Sequence, residues 1–185
     1  EAPLKEICNL AEKYHAAVLV DEAHAIGIFG EQGRGLVEKM GLTQRVLART
    51  ITFGKALGTH GAAILGSNHL RSYLINFARS FIYSTATGFT SHLAVQMAYK
   101  FLCQEDHQTK KKKKIQYFKK SFASTSTLIE SNSPIQIFLF PGNEAAKNAS
   151  NKLRELGLDV RAILSPTVKY GTERLRICLH KHNSL

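Results

Sequence analysis

Apolar residues recur at helical spacing from the start of the chain. Leu4, Ile7, Leu10, Ala11 and Tyr14 fall on one stripe and Pro3 suits a first turn, so residues 3 to 15 are expected to form an amphipathic helix. The pattern then tightens into the unbroken run Ala17-Val-Leu-Val20, which ends at Asp21. A run of that kind, followed by glycines, predicts a buried parallel strand that brings a carboxylate to the carboxyl edge of a sheet. Residues 22 to 35 are glycine-rich, but no Gly-x-Gly-x-x-Gly directly opens a helix, so the segment is expected to be a tight connection. Residues 46 to 52 and 62 to 65 predict two more short strands, the second ended by Gly66. Asn68 is the expected cap of a helix carrying Leu70, Tyr73, Leu74 and Phe77. Phe81-Ile-Tyr83 predicts another strand, ending in the small hydroxyls Ser84 and Thr85.

From about Ser91 a long helical pattern runs towards Leu128, with a break expected near Glu105-Asp106. Ser131 to Pro134 marks a turn. The character changes after it. Residues 135 to 140 predict a strand, 143 to 156 a helix stopped by Gly157, and 158 to 164 and 174 to 179 two strands. The pattern as a whole predicts an α/β region over residues 1 to 105 and a linking helix with a small α+β domain over residues 106 to 185.

Composition narrows the field only slightly. The 185 residues are 44% hydrophobic, enough for a real core. The formal net charge is +11, and five of the positive charges are the consecutive lysines 110 to 114. That run is expected to be a solvated face, with a footprint for a polyanion as the alternative. No apolar run approaches the ~20 residues of a membrane span, and the opening Glu1-Ala-Pro-Leu4 gives no expectation of a secretory signal. Cys8, Cys103 and Cys178 are far apart and odd in number, which suits a reducing compartment and suggests no disulfide framework.

Several chemistries can be set aside on residue grounds. Asp21-Glu-Ala-His24 spells a helicase motif, but no phosphate loop accompanies it: Ala56 follows Lys55, and Arg49 stands where a first glycine is required. The eight histidines are scattered without a set of metal ligands, and no Gly-x-Ser-x-Gly elbow is present. What remains is an acid at a strand end, a histidine three residues on, and Lys55 in a later glycine-flanked turn, Gly54 to Gly61. Those groups suit pyridoxal phosphate chemistry. A carboxylate keeps the pyridine nitrogen protonated, and a lysine holds the aldehyde as a Schiff base.

Four motifs in order, Asp21-Glu-Ala-His24, Gly30-Glu-Gln-Gly-Arg-Gly35, Thr52-Phe-Gly-Lys55 and Gly171-Thr-Glu-Arg-Leu-Arg176, resemble those of the α-oxoamine synthases, pyridoxal phosphate enzymes of fold type I. The resemblance implies the C-terminal half of a type I large domain plus a small α+β C-terminal domain. It implies that Asp21 pairs with the pyridine nitrogen, His24 bonds the phenolic oxygen, and Thr52 binds the phosphate. By the same resemblance, Lys55 is expected to carry the cofactor and act as general base, Ser84 and Thr85 to reach the phosphate across a homodimer interface, Arg176 to grip the amino-acid carboxylate, and Thr167 to contact substrate. The implied reaction condenses an amino acid, expected to be alanine, with an acyl-CoA such as pimeloyl-CoA, and loses the carboxylate, as in biotin synthesis. The implied setting is a cytoplasmic homodimer acting on small molecules, without nucleic acid or membrane partners. A sister enzyme using glycine or serine, and a non-catalytic basic domain that binds a polyanion, remain open. The chain is expected to be part of a longer protein and inactive alone, because motifs that complete the pocket in the family have no counterpart in it.

Overall fold

The computed structural model describes residues 1–104, 107–180, 182 and 183, and the chain divides into two compact units, Glu1–Gln108 and Thr109–Leu185. In the first unit, helix α1 (Leu4–Lys13) precedes strand β1 (Leu19–Asp21). A glycine-rich loop with a 3-10 turn at Glu31–Gly33 leads to the short helix α2 (Leu36–Lys39). Strands β2 (Ala48–Thr52) and β3 (Ala62–Gly66) complete a three-stranded sheet in the order β1-β2-β3. β1 runs parallel to β2 and β3 antiparallel to it.

α1 forms as expected, but its predicted stripe is not the core face: Leu4 is buried, whereas Ile7, Leu10 and Tyr14 are exposed. Leu4 and Cys8 are buried against Val37 and Leu42, with Val18, Val20 and Val46 packed around them. Val37 is fully buried, which contributes roughly 1.5–3 kcal/mol by the usual transfer scale. A second cluster, Ile26, Ile51 and Leu57, is covered by Tyr99 and Leu102 of helix α5 (Phe89–Gln104). β1 departs from expectation: it is parallel as read, but Leu19 is 70% exposed and Asp21 is exposed. The strand has one neighbour in this chain's sheet, so an apolar composition alone does not bury it.

Three local readings are corrected. Helix α3 (Asn68–Phe77) is capped by Ser67, whose hydroxyl accepts the Leu70 N–H, and Asn68 is its first residue. Phe81-Ile-Tyr83 is not a strand, because Arg79–Ile82 forms the short helix α4. A three-residue apolar run carries no period, and the Phe81 and Ile82 N–H groups bond back to the Ala78 carbonyl. The long helical pattern ends at Ser121, the last residue of α6 (His107–Ser121), and Leu128–Ile129 is strand β4. The break expected at Glu105-Asp106 lies outside the described residues.

The second unit is a four-stranded antiparallel sheet in the order β4-β5-β7-β6, with β5 at Ile135–Leu139, β6 at Arg161–Ile163 and β7 at Arg174–Cys178. Phe118 and Phe122 of α6 pack edge-on against Phe138 of β5 at 6.1 and 5.2 Å between ring centroids. Helix α7 (Asn143–Glu155) lies against β6 and β7, and its Ser150 hydroxyl donates to the Val160 carbonyl. The lysine run is only partly a solvated face. Lys110, Lys112 and Lys113 are exposed, but burial pushes the pKa of Lys111 down. The Lys114 ammonium group donates to the carbonyls of His180 and Asn183.

Candidate active site

Strand register arranges the acid and the hydroxyl. Asp21 pairs with Thr50, and Thr52 lies two residues further along β2, so Asp21, Thr50 and Thr52 share one face at the carboxyl end of a parallel pair. Asp21 Oδ1 accepts the Ala23 N–H at 2.8 Å, which starts the turn bearing His24. His24 is exposed on that turn, which is held by N–H donors of Ala25 and Ile26 to the Glu22 carbonyl. Thr52 Oγ1 is buried and has no hydrogen-bond partner.

The Lys55 loop comes alongside. Phe53 and Gly61 close its neck through the Phe53 N–H and the Gly61 carbonyl, and the Gly58 N–H donates to the Lys55 carbonyl. Gly27, with φ +74°, allows the two loops to touch: a Cβ there would stand 2.8 Å from the Ala56 Cβ. Ile26 and Leu57 belong to one buried cluster, so the loop after Asp21 and the loop after Thr52 pack as a pair. Lys55 itself is exposed. Ser84 and Thr85 follow α4 and are also exposed, and the Ser84 hydroxyl donates to the Ser80 carbonyl. An open apolar groove of about 410 Å³ lies elsewhere, between α1 and the approach to β1, and none of the candidate residues line it.

Arg176 and Thr167 belong to the second unit. Arg176 is on β7, paired with Ile137 and Arg161, on the face opposite Leu175 and Phe138. Its Nε is buried without a hydrogen-bond partner. Thr167 is exposed in the turn after β6. That turn is tied down by Asn143, whose side chain accepts the Ser165 N–H at 2.9 Å and donates to the Ser165 carbonyl.

The model of the aminotransferase class I and II family matches residues 1–185. The chain belongs to that family. Among curated relatives of this aminotransferase-family chain, the 8-amino-7-oxononanoate synthase of Emericella nidulans is 37% identical over 196 residues, covering 100% of this chain and 48% of that protein. Among solved structures, the serine palmitoyltransferase of Sphingomonas wittichii superposes with a TM-score of 0.91 at 26% identity, covering 99% of this chain and 47% of that one. A structure described as SPT with pyridoxal phosphate gives a TM-score of 0.87 at 26% identity, covering 99% and 47%. The chain thus spans about half the length of the relatives it matches. The backbone is the fold expected of type I pyridoxal phosphate-dependent transferases, and the α-oxoamine synthase resemblance read from four motifs holds.

Within this family member, sequence reasoning passed over two carboxylates. Glu22 is 1% exposed and Glu173 fully buried. Glu22 accepts the N–H groups of Leu36 and Val37 on Oε1, and Nε and Nη2 of Arg49 reach its Oε2. The legible signal was Arg49, a cation in the middle of an otherwise uncharged strand, since a buried charge requires a partner. Glu173 accepts the Gly142 N–H at 2.8 Å, at the start of α7. Backbone donors, the Gly142 N–H first, hold its carboxyl below the ordinary value, against the opposing effect of burial. No spacing rule pairs Glu173 with a residue 31 positions away.

Proposed function

We propose that the protein containing this chain is a pyridoxal phosphate-dependent acyltransferase of the α-oxoamine synthase type. It joins alanine to pimeloyl-CoA, releasing CoA and carbon dioxide and leaving an amino ketone for biotin synthesis. The observation that carries this reading is the shared face of Asp21 and Thr52 beside the Lys55 loop, with the Thr52 hydroxyl buried and unbonded. A buried donor without a partner fits a phosphate oxygen, and the buried Nε of Arg176 fits a carboxylate.

The residues divide the work by their chemistry. Asp21 keeps one carboxylate oxygen on the Ala23 N–H and offers the other to a ring N–H. His24, on the turn that Asp21 starts, bonds the phenolic oxygen. Thr52 donates to the phosphate, and Lys55 carries the cofactor on its amine and then moves a proton from and to the α-carbon. Arg176 holds the amino-acid carboxylate until it leaves, and Thr167 contacts substrate. Ser84 and Thr85, exposed in this chain, serve the phosphate of a partner subunit in a cytoplasmic homodimer. When bound, pyridoxal phosphate supplies an electron sink for the bond breaking at the α-carbon.

The full-length protein mixed with pyridoxal phosphate should turn yellow, and borohydride should fix the label on Lys55 in peptide mapping. A label on another residue, or none, would remove the reading. The likeness to a serine palmitoyltransferase supports a second reading, in which serine or glycine and another acyl thioester are the substrates. A panel of amino acids against acyl thioesters decides between them by kcat/KM.

A further inference from the structure

Strand alternation gives the two acids of Asp21-Glu22 opposite tasks. Asp21 faces the open side of the sheet, whereas Glu22 turns to the side of Val20 and Arg49 and is 1% exposed. Arg49 is 8% exposed, so both charges of the pair are removed from water. A buried ion pair is a poor device for stability alone, since well-packed apolar residues serve as well or better. Its geometry suggests another use. The carboxylate of Glu22 joins three places: the end of β1, β2 through Arg49, and the far end of the loop through the Leu36 and Val37 N–H groups. Arg49 adds a bond to the Arg34 carbonyl. Gly35, at φ +106°, has no room for a side chain beside the pair, because a Cβ would stand 2.7 Å from both Arg49 Nη2 and Glu22 Oε1. The backbone of Glu22 is held as firmly. Its N–H donates to the Thr50 carbonyl at 2.8 Å, and its carbonyl accepts from Ala25 and Ile26. The turn carrying His24 therefore hangs between Asp21 and a residue anchored on both main chain and side chain.

We propose that Glu22, clamped by Arg49, is a positioning residue that sets the orientation of the Asp21-to-His24 turn for the cofactor. This rests on the reading of Asp21, His24 and Lys55 given above. The clamp acts through Asp21 and His24 and does not itself touch the cofactor. Removing it leaves the same groups in the chain but lets the turn sample other orientations, which weakens cofactor binding in the way that losing an orienting outer partner weakens a bound metal, by about tenfold or more.

The test uses the full-length protein and the variants Glu22→Gln, Arg49→Met, Arg49→Lys and the double variant Glu22→Gln/Arg49→Met. The double variant carries neither buried charge and is expected to keep a wild-type melting temperature, so it remains informative if a single variant fails to fold. Pyridoxal phosphate affinity should fall about tenfold in Glu22→Gln, Arg49→Met and the double variant, and Arg49→Lys should restore most of it. Wild-type affinity in a double variant of wild-type stability would overturn the inference. So would affinity that simply tracks melting temperature across the series. Amide exchange of the cofactor-free protein gives a readout independent of the proposed chemistry. Protection at Ala25 and Ile26 should fall in the double variant, and unchanged protection there counts against the clamp even if the wild type proves not to bind the cofactor. A wild type that binds no pyridoxal phosphate removes the functional reading and with it the cofactor-positioning role, and the exchange at Ala25 and Ile26 then shows whether the clamp still holds the turn.

Discussion

The hydroxyl of Thr52 is buried and unbonded, an arrangement that proteins rarely leave without a use. Thr52→Val keeps the shape and removes the polar atom. Because no internal hydrogen bond is lost, stability should stay unchanged or rise by about 1 kcal/mol, while pyridoxal phosphate binding to the full-length protein should weaken by roughly 1.5–3 kcal/mol, the value of a bond to a charged group. Calorimetry for binding and thermal melting for stability separate the two effects, and equal binding by both proteins would remove Thr52 from the phosphate site. Asp21, His24 and Lys55 could be picked out as candidates because an acid at a strand end, a histidine just beyond it and an amine in a glycine-flanked loop suit chemistry of this kind, and Thr52 was added by the family resemblance. Glu22 could not, because its neighbour Asp21 offers the same functional group. Only the two-residue alternation along the strand distinguishes the acid on the open face of the sheet from the acid that faces Arg49.

At the level of elements, a buried carboxylate links the start of β7 to the start of α7. Glu173 immediately precedes the strand that carries Arg176, and it accepts the Gly142 N–H. Its pKa is lowered, so its contribution is fully present above the ordinary carboxyl range and is lost as pH falls through its depressed value. Glu173→Gln should therefore lower the melting temperature near neutral pH and flatten its fall on the acid side. An unchanged acid slope would show that the bonds to Glu173 do not couple to protonation. Elements with a clear period or stop signal were legible: α1 by its stripe, and α7 by the glycine after it. Phe81 to Tyr83 was not, since three apolar residues fit a strand and a helical turn equally, and hydrogen bonding to Ala78 decided. For α3 the pattern places the cap one residue late, because serine and asparagine cap alike and the Ser67 hydroxyl is the one that reaches the Leu70 N–H.

For the whole molecule, the coverage of relatives and the exposure of the site point the same way. Asp21, His24 and Lys55 are all exposed in this chain, which spans about half the length of its relatives. The 185-residue chain alone is thus expected to fold into its two units yet show no turnover, while the full-length protein turns over. Assaying both with alanine and pimeloyl-CoA checks this, and comparable rates would contradict it. Among the described residues no helix is long and apolar enough to cross a membrane. Charge told less about the whole than its +11 suggested, because part of the lysine run is used internally, as Lys114 is on the carbonyls of His180 and Asn183. By itself the sequence determined the family, the order of most elements and the candidate reactive groups, because these depend on residue type and local spacing. Tertiary structure alone decided which acid faces outward, which hydroxyl lacks a partner, and that a buried Glu22–Arg49 pair ties the loop shut, because strand register and burial arise from contacts between residues far apart in the chain.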